Sequence, residues 1–371
     1  MVRFNGPIIP RRLPPLPAVH GSMPVEEIRA MGIDPARVLD FSVNTNPFGP
    51  SPKVLEAIRT VDVTRYPDPS ATLLRRALTD ALGVADNQVL PGNGAVELVW
   101  LTARAYLGPG DTALVVGPTF GEYAQASRAA GATVEYFEST AEDLFELNLA
   151  SLDRTIDEVQ ARLIFICNPN NPTGTYLQPS ALQPIIESHP RTLFVIDEAY
   201  IWSLSAQQSP LAPRSKSLAA NVLTLRSMTK DCAIPGIRLG YAVGPEDIIE
   251  SLRGQQPPWS VNALAQAAGV AALADSEYLK RSLAGIREAK TWLIEALISE
   301  WHVPFMSETN FILLDVFSGA VVQEALLKSG FYVRDCASFR LPECVRISVR
   351  TMPECQQLVP ALHAVLAPWL S

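Results

Sequence analysis

Leu163-Ile164-Phe165-Ile166-Cys167 runs directly into Asn168-Pro169-Asn170-Asn171-Pro172-Thr173-Gly174. The first five residues are all apolar and bounded by turn formers, the pattern of a fully buried strand. The seven that follow make a proline-stiffened loop. Open α/β sheets carry their ligand-binding loops at strand carboxyl ends, so this junction predicts both a sheet and a site.

Working outward, Ala113–Val116, Leu193–Ile196 and Val222–Leu225 repeat the short apolar run. Lys53–Thr60, Ala71–Leu82 and Ala95–Leu107 carry helical patterns, and helical stretches lie between most of the runs. That alternation predicts a mostly parallel sheet covered by helices. Leu239–Val243 follows Leu225 too closely for a crossover helix and is expected to run antiparallel. Beyond about residue 255 the pattern changes. A long helix is expected from Asn262 to about Glu300. Strands at Phe311–Val316 and Val345–Val349 then alternate with helices at Val321–Ser329 and Glu354–Leu366. The expected organisation is an N-terminal arm over 1–45 that joins the small domain, a large domain over 46–258, and a small α+β domain over 259–371. Residues 1–19 are proline-rich and are not expected to be helical.

The chain has 371 residues, a net charge of -8, and 48% hydrophobic and 18% charged residues. No basic stripe offsets the acidity, which argues against a nucleic-acid partner. Cys167, Cys232, Cys336, Cys344 and Cys355 are odd in number and lack a CxxC pair, the usage of reduced thiols in a cytoplasmic protein. The four histidines are scattered, so no metal centre is expected. No leader segment and no apolar run of membrane-spanning length is visible, and no membrane partner is expected.

Four stretches carry chemistry. Ser227-Met228-Thr229-Lys230 lies between two expected strands, with Arg238 eight residues on. A lysine there suits Schiff-base chemistry with an aldehyde, and Ser227, Thr229 and Arg238 suit a dianionic phosphate. A surface loop with one lysine and one arginine is the plain alternative. Gly92-Asn93-Gly94 precedes an apolar helix, where free N–H groups and the helix dipole favour an anion. It also reads as an ordinary turn. The Asn168–Gly174 loop is the third. Asp197-Glu198-Ala199-Tyr200 closes an expected strand, and a carboxylate there can hold a proton on a pyridine nitrogen.

In this order, the four stretches followed by Arg238 resemble the pyridoxal-phosphate (PLP) enzymes of fold type I, the aminotransferase class I/II superfamily. The resemblance spans roughly residues 35–365 and implies the aspartate-aminotransferase fold, PLP as cofactor and a homodimer. It implies Lys230 as the cofactor lysine and Gly92, Asn93, Gly94, Ser227, Thr229 and Arg238 around the cofactor phosphate. Asn171 and Tyr200 would meet the ring oxygen, Asp197 the ring nitrogen and Phe120 the ring face. Tyr66, in Arg65-Tyr66-Pro67-Asp68, would reach the partner's cofactor phosphate.

Within the superfamily, several stretches look like the L-threonine-O-3-phosphate decarboxylases of cobalamin biosynthesis. They are Leu39–Pro47, Thr229–Arg238, Gln256–Asn262, Val333–Phe339 and Val349-Arg350-Thr351, with His20-Gly21 ahead of them. This likeness implies decarboxylation of a small phosphorylated amino acid to aminopropanol phosphate. Arg346 would take the carboxylate and Arg334 the phosphate, helped by His20, Thr45 and Asn46. Histidinol-phosphate aminotransferase is the alternative branch, in which PYNVN is expected in place of Pro257–Asn262 and glycine in place of Arg350. The chain departs from the decarboxylase pattern at Asp231-Cys232, at Trp202, and in a loop between Phe339 and Arg346 that is about two residues short.

Overall fold

The computed structural model describes residues 21–204 and 219–369. Its strands in chain order are β1 (Leu39–Asp40), β2 (Val89–Gly92), β3 (Thr112–Gly117), β4 (Thr133–Glu138), β5 (Leu163–Cys167) and β6 (Leu193–Asp197). There follow β7 (Val222–Ser227), β8 (Gly240–Val243), β9 (Phe311–Asp315), β10 (Phe331–Tyr332), β11 (Arg334–Asp335) and β12 (Cys344–Ser348).

Seven of them form one sheet in the order β2-β8-β7-β6-β5-β3-β4. β7, β6, β5, β3 and β4 run parallel. β8 is antiparallel to both β7 and β2, as the short connection from Leu225 required. β5 and β6 are buried at every residue because helices cover both faces, which is why they read as unbroken apolar runs. On one face, Leu98 and Leu101 of the helix Ala95–Tyr106 and Tyr123 of the helix Glu122–Ala130 pack with Phe165 and Val195. On the other, Leu152, Ile156 and Ile185 close over Ile164 and Phe194. This is the aspartate-aminotransferase-like α/β architecture that the sequence predicts.

The smaller unit is the antiparallel sheet β11-β12-β9, covered by the helices Ser276–Ser299, Gly319–Lys328 and Met352–Leu366. Its core includes Leu293, Ile312, Val345, Ile347 and Leu358. Phe41 and Trp202 enter that same core, and β1 pairs in parallel with β10, so residues 39–41 pack with the smaller unit.

The long helix expected from Asn262 is two helices, Ala263–Leu273 and Ser276–Ser299. The first packs on the larger unit: Val261 and Ala265 share a core with Leu74, Leu78 and Leu239. Gly269 permits the contact, since a Cβ there would stand 2.6 Å from Leu74 Cδ1. Large-unit packing therefore runs to Leu273, past the boundary expected at residue 258. No helix among the described residues is long and apolar enough to cross a membrane.

Candidate active site

The carboxyl ends of β3, β5, β6 and β7 open on one side of the large sheet, and the β11–β12 pair of the smaller unit faces them across a cavity of about 350 Å³. Each strand end delivers one expected group. The turn after β3 brings Phe120, the loop after β5 brings Asn171, β6 ends on Asp197, and β7 ends on Ser227 with Thr229 and Lys230 in the turn beyond. Thr119 Oγ1 donates to Asn170 Oδ1 at 2.8 Å, which ties the first two turns together.

One end of the cavity is an anion cup. Ser227 and Thr229 hydroxyls lie 2.7 Å apart, and Arg238 reaches the same place from the residue pair ahead of β8. The helix Ala95–Tyr106 points its amino end there, and Ala95 and Val96 line the wall. Gly94 caps that helix at φ 78°, and a Cβ on it would sit 2.7 Å from Arg238 Nη2. The guanidinium occupies the room that glycine leaves. Gly92 and Asn93 stand behind the cup and do not line the cavity. The N–H of Asn93 is used up internally, donating to Glu97 Oε2 at 2.8 Å.

At the other end Asp197 is 4% exposed. Tyr123 Oη donates to one carboxylate oxygen at 2.7 Å and the Ala199 N–H to the other at 2.9 Å. Burial pushes the carboxyl up to about 6, while those two donors pull it down. Such a carboxylate gains most from a cationic N–H brought to it. The Lys230 side-chain amine makes no hydrogen bond to a described residue. Withdrawal from water, then Arg346 and Arg238, push its amine down to about 8, with Asp197 opposing. Burial likewise holds Tyr200 up at about 12. Its hydroxyl accepts from Asn44 Nδ2 at 3.5 Å. Burial first of all raises the Cys167 thiol in the wall to about 12, which favours its protonated form.

These groups fit PLP. The cup has donors for a phosphate, Asp197 suits a protonated pyridine nitrogen, Phe120 flanks the space between, and Lys230 presents an unpaired amine.

The substrate side rests on register. Arg334 and Arg346 are Cα partners across β11 and β12, and both are buried. Like charges directly opposed on one sheet face destabilise it unless an anion joins them. Arg346 is oriented by Asn171 Oδ1 and by the carbonyl of Ser42 at 2.5 Å. Arg334 Nη2 donates to Ser338 Oγ at 2.6 Å.

Other expected residues lie elsewhere. Thr45 and Asn46 do not line the cavity; Ser42, Val43 and Asn44 do. Asn46 instead anchors the lysine turn, its N–H donating to the Lys230 carbonyl at 2.8 Å and its Nδ2 to that of Asp231 at 3.1 Å. Tyr66 is 80% exposed and stacks on Trp259 at 4.6 Å, outside the cavity of its own chain. His20 lies outside the described residues. Tyr123 escaped the sequence reading, although it sits one helical turn beyond Phe120.

Three of the markers that suggested a decarboxylase also lie outside the cavity. Arg350 donates to the Asp40 carbonyl at 2.9 Å and pairs with Glu354 at 2.7 Å, a tie between β1 and the last long helix. Trp259 faces outward on Tyr66, and Cys336 is buried in a separate core cluster.

Comparison with known proteins agrees. Histidinol-phosphate aminotransferase 2 of Pseudomonas aeruginosa is 37% identical over 362 residues, 95% of each chain. The crystal structure of histidinol-phosphate aminotransferase from Sinorhizobium meliloti in complex with pyridoxal-5'-phosphate has a TM-score of 0.85 at 24% identity, covering 95% of this chain and 96% of that one. The L-threonine-O-3-phosphate decarboxylase of Porphyromonas gingivalis has a TM-score of 0.76 at 25% identity, covering 89% and 100%. The decarboxylase expectation, and cobalamin biosynthesis with it, is overturned: the relative similar at 37% identity is an aminotransferase. The family Aminotransferase class I and II matches residues 36–362. With that match and a site whose groups suit the cofactor, the chain belongs to the class I and II aminotransferases, which work with PLP.

Proposed function

We propose that this chain transfers the amino group of a phosphorylated amine, of the histidinol-phosphate class, to a 2-oxo acid such as 2-oxoglutarate. The observation that carries this reading is the buried arginine pair Arg334–Arg346 on the wall opposite Lys230. The names of the relatives support it.

In this reading the cup at Ser227, Thr229, Arg238 and the amino end of the helix Ala95–Tyr106 holds the cofactor phosphate. Asp197 keeps a proton on the ring nitrogen, with Tyr123 holding the carboxylate in place. Phe120 would lie against the ring, and Asn171 and Tyr200 would meet its oxygen. When bound, PLP supplies a conjugated cationic ring that takes up the electron pair released at the substrate's Cα. Lys230 does the proton work. When not bonded to the cofactor, its neutral Nζ would be a base able to take the Cα proton. Arg334 pairs with the phosphate of the amine substrate and Arg346 with the carboxylate of the oxo acid, each by charge-assisted hydrogen bonds. Together they would set how the substrate's Cα bonds are oriented in the cavity. Tyr66 reaches the second subunit of a homodimer.

Product analysis of PLP-loaded protein tests this. Histidinol phosphate with 2-oxoglutarate is expected to yield glutamate. Release of CO2 from L-threonine-O-3-phosphate, with no glutamate from the first pair, overturns the proposal.

A further inference from the structure

Ala337–Phe339 form one 3-10 turn beyond β11, and Arg340 follows at φ 65°. That region of backbone space disfavours side chains with a Cβ, so a non-glycine residue stays there only when its surroundings hold it. Three successive side chains do the holding, each differently. Ser338 Oγ accepts from Arg334 Nη2 at 2.6 Å. The Phe339 ring lies 5.5 Å from the Arg334 guanidinium and lines the active-site cavity.

Arg340 leaves the smaller unit. Its Nη1 donates to Glu138 Oε1 at 3.0 Å, and its guanidinium stands 4.1 Å from the centroid of the Tyr136 ring. Both partners lie on β4, the edge strand of the large sheet. Tyr136 is itself held from behind, because its hydroxyl accepts from Arg128 Nη2 at 2.9 Å. A second cavity of about 260 Å³ lies beneath this contact and shares Phe120 and Phe339 with the active site. One short turn thus grips Arg334 on one side and the opposite bank of the cleft on the other.

We infer that Arg340, through Glu138 and Tyr136, is a positioning residue that clamps the 337–340 turn across the cleft and sets Arg334 for a phosphate-bearing substrate. The inference rests on the reading that Arg334 takes that phosphate. An ion pair with a half-exposed arginine is weak alone, and the stack on Tyr136 adds to it. The clamp should therefore tune recognition without deciding whether the enzyme works.

The test is the ratio of kcat/KM for histidinol phosphate to that for histidinol, with 2-oxoglutarate as acceptor and holoenzyme throughout. Arg340→Ala and Glu138→Gln should each lower the ratio about fivefold through the KM of the phosphorylated amine, with the melting temperature unchanged. Arg340→Lys, which keeps the charge but not the planar stack, should fall between. The reversed pair Glu138→Arg with Arg340→Glu should recover part of the loss. Equal losses on both amines, or a lowered melting temperature with an unchanged ratio, overturn the clamp. Arg334→Ala separates the two levels. If the ratio survives that change, the phosphate assignment of Arg334 fails and the clamp with it. If Arg334→Ala collapses the ratio while Arg340→Ala and Glu138→Gln leave it intact, only the clamp fails.

Discussion

The two walls of the active-site cavity are made in different ways. The wall nearest Asp197 and Arg238 comes from short contiguous stretches at strand ends of one rigid, mostly parallel sheet. The wall opposite comes from cross-strand register, Arg334 against Arg346, and from Ser42 and Asn44 some three hundred positions earlier. The first wall is fixed by the fold itself. The second is fixed by how two units meet, so in the proposed reading small changes there should alter what is recognised and leave the cofactor chemistry in place.

Substitutions can sharpen or break this contrast. The largest effect is expected at Lys230. Lys230→Ala should abolish the protein-bound cofactor absorbance band and lower turnover by at least about 10² to 10⁴-fold. Survival of that band after dialysis would show that another group holds the cofactor. Next comes the opposite wall. Arg346→Ala should cost roughly 30-fold or more in kcat/KM for every carboxylate-bearing substrate, and Arg334→Ala a similar factor for phosphorylated amines only. Cofactor absorbance should be unchanged in both. Equal losses at the two arginines would erase the division of labour between them. The smallest effect concerns pH. The Lys230 amine is held at about 8, so below that value it is protonated and cannot attack an aldehyde. Capture of added PLP by the apoprotein should rise about tenfold from pH 6 to 7 and level off above 8, since one pKa unit is a tenfold change in the neutral fraction. A rate flat from pH 6 to 9 would mean that amine protonation does not limit capture.

The same contrast decided what could be read from the sequence. β5 appears in full, and β6 in all but its last residue, as apolar runs, and Asp197, Ser227, Thr229 and Lys230 stand at or just beyond the ends of β6 and β7. β4 did not appear, because an edge strand with one open face reads Thr-Val-Glu-Tyr-Phe-Glu, half polar. β2 was hidden by Pro91, which an outermost strand tolerates and a central one does not. The break at Ala274–Asp275 has neither glycine nor proline to announce it, so two helices looked like one. In the N-terminal segment the expected contacts at Thr45 and Asn46 were two residues off. Which residues of a non-periodic loop face inward is set by the partners it meets, here Ser348 for Asn44 and the lysine turn for Asn46. Arg350 is a different case. It stood in the sequence only as a marker of the decarboxylase branch, and its partners are the Asp40 carbonyl and Glu354, contacts that say nothing of substrate.

The one antiparallel strand between β2 and β7 has a bearing on synthesis. β8 pairs Gly240 with Gly92 on one side and with Ser227 on the other, and a Cβ at Gly240 would lie 2.5 Å from the amide nitrogen of Ala95. The two halves of the anion cup are thus stitched together by residues that leave the ribosome well over a hundred codons after the first half. A nascent chain shorter than about 243 residues has no cup to offer, and contacts of such long sequence separation form late. Capture of an anion at the cup therefore waits until β8 has been made and has paired on both sides.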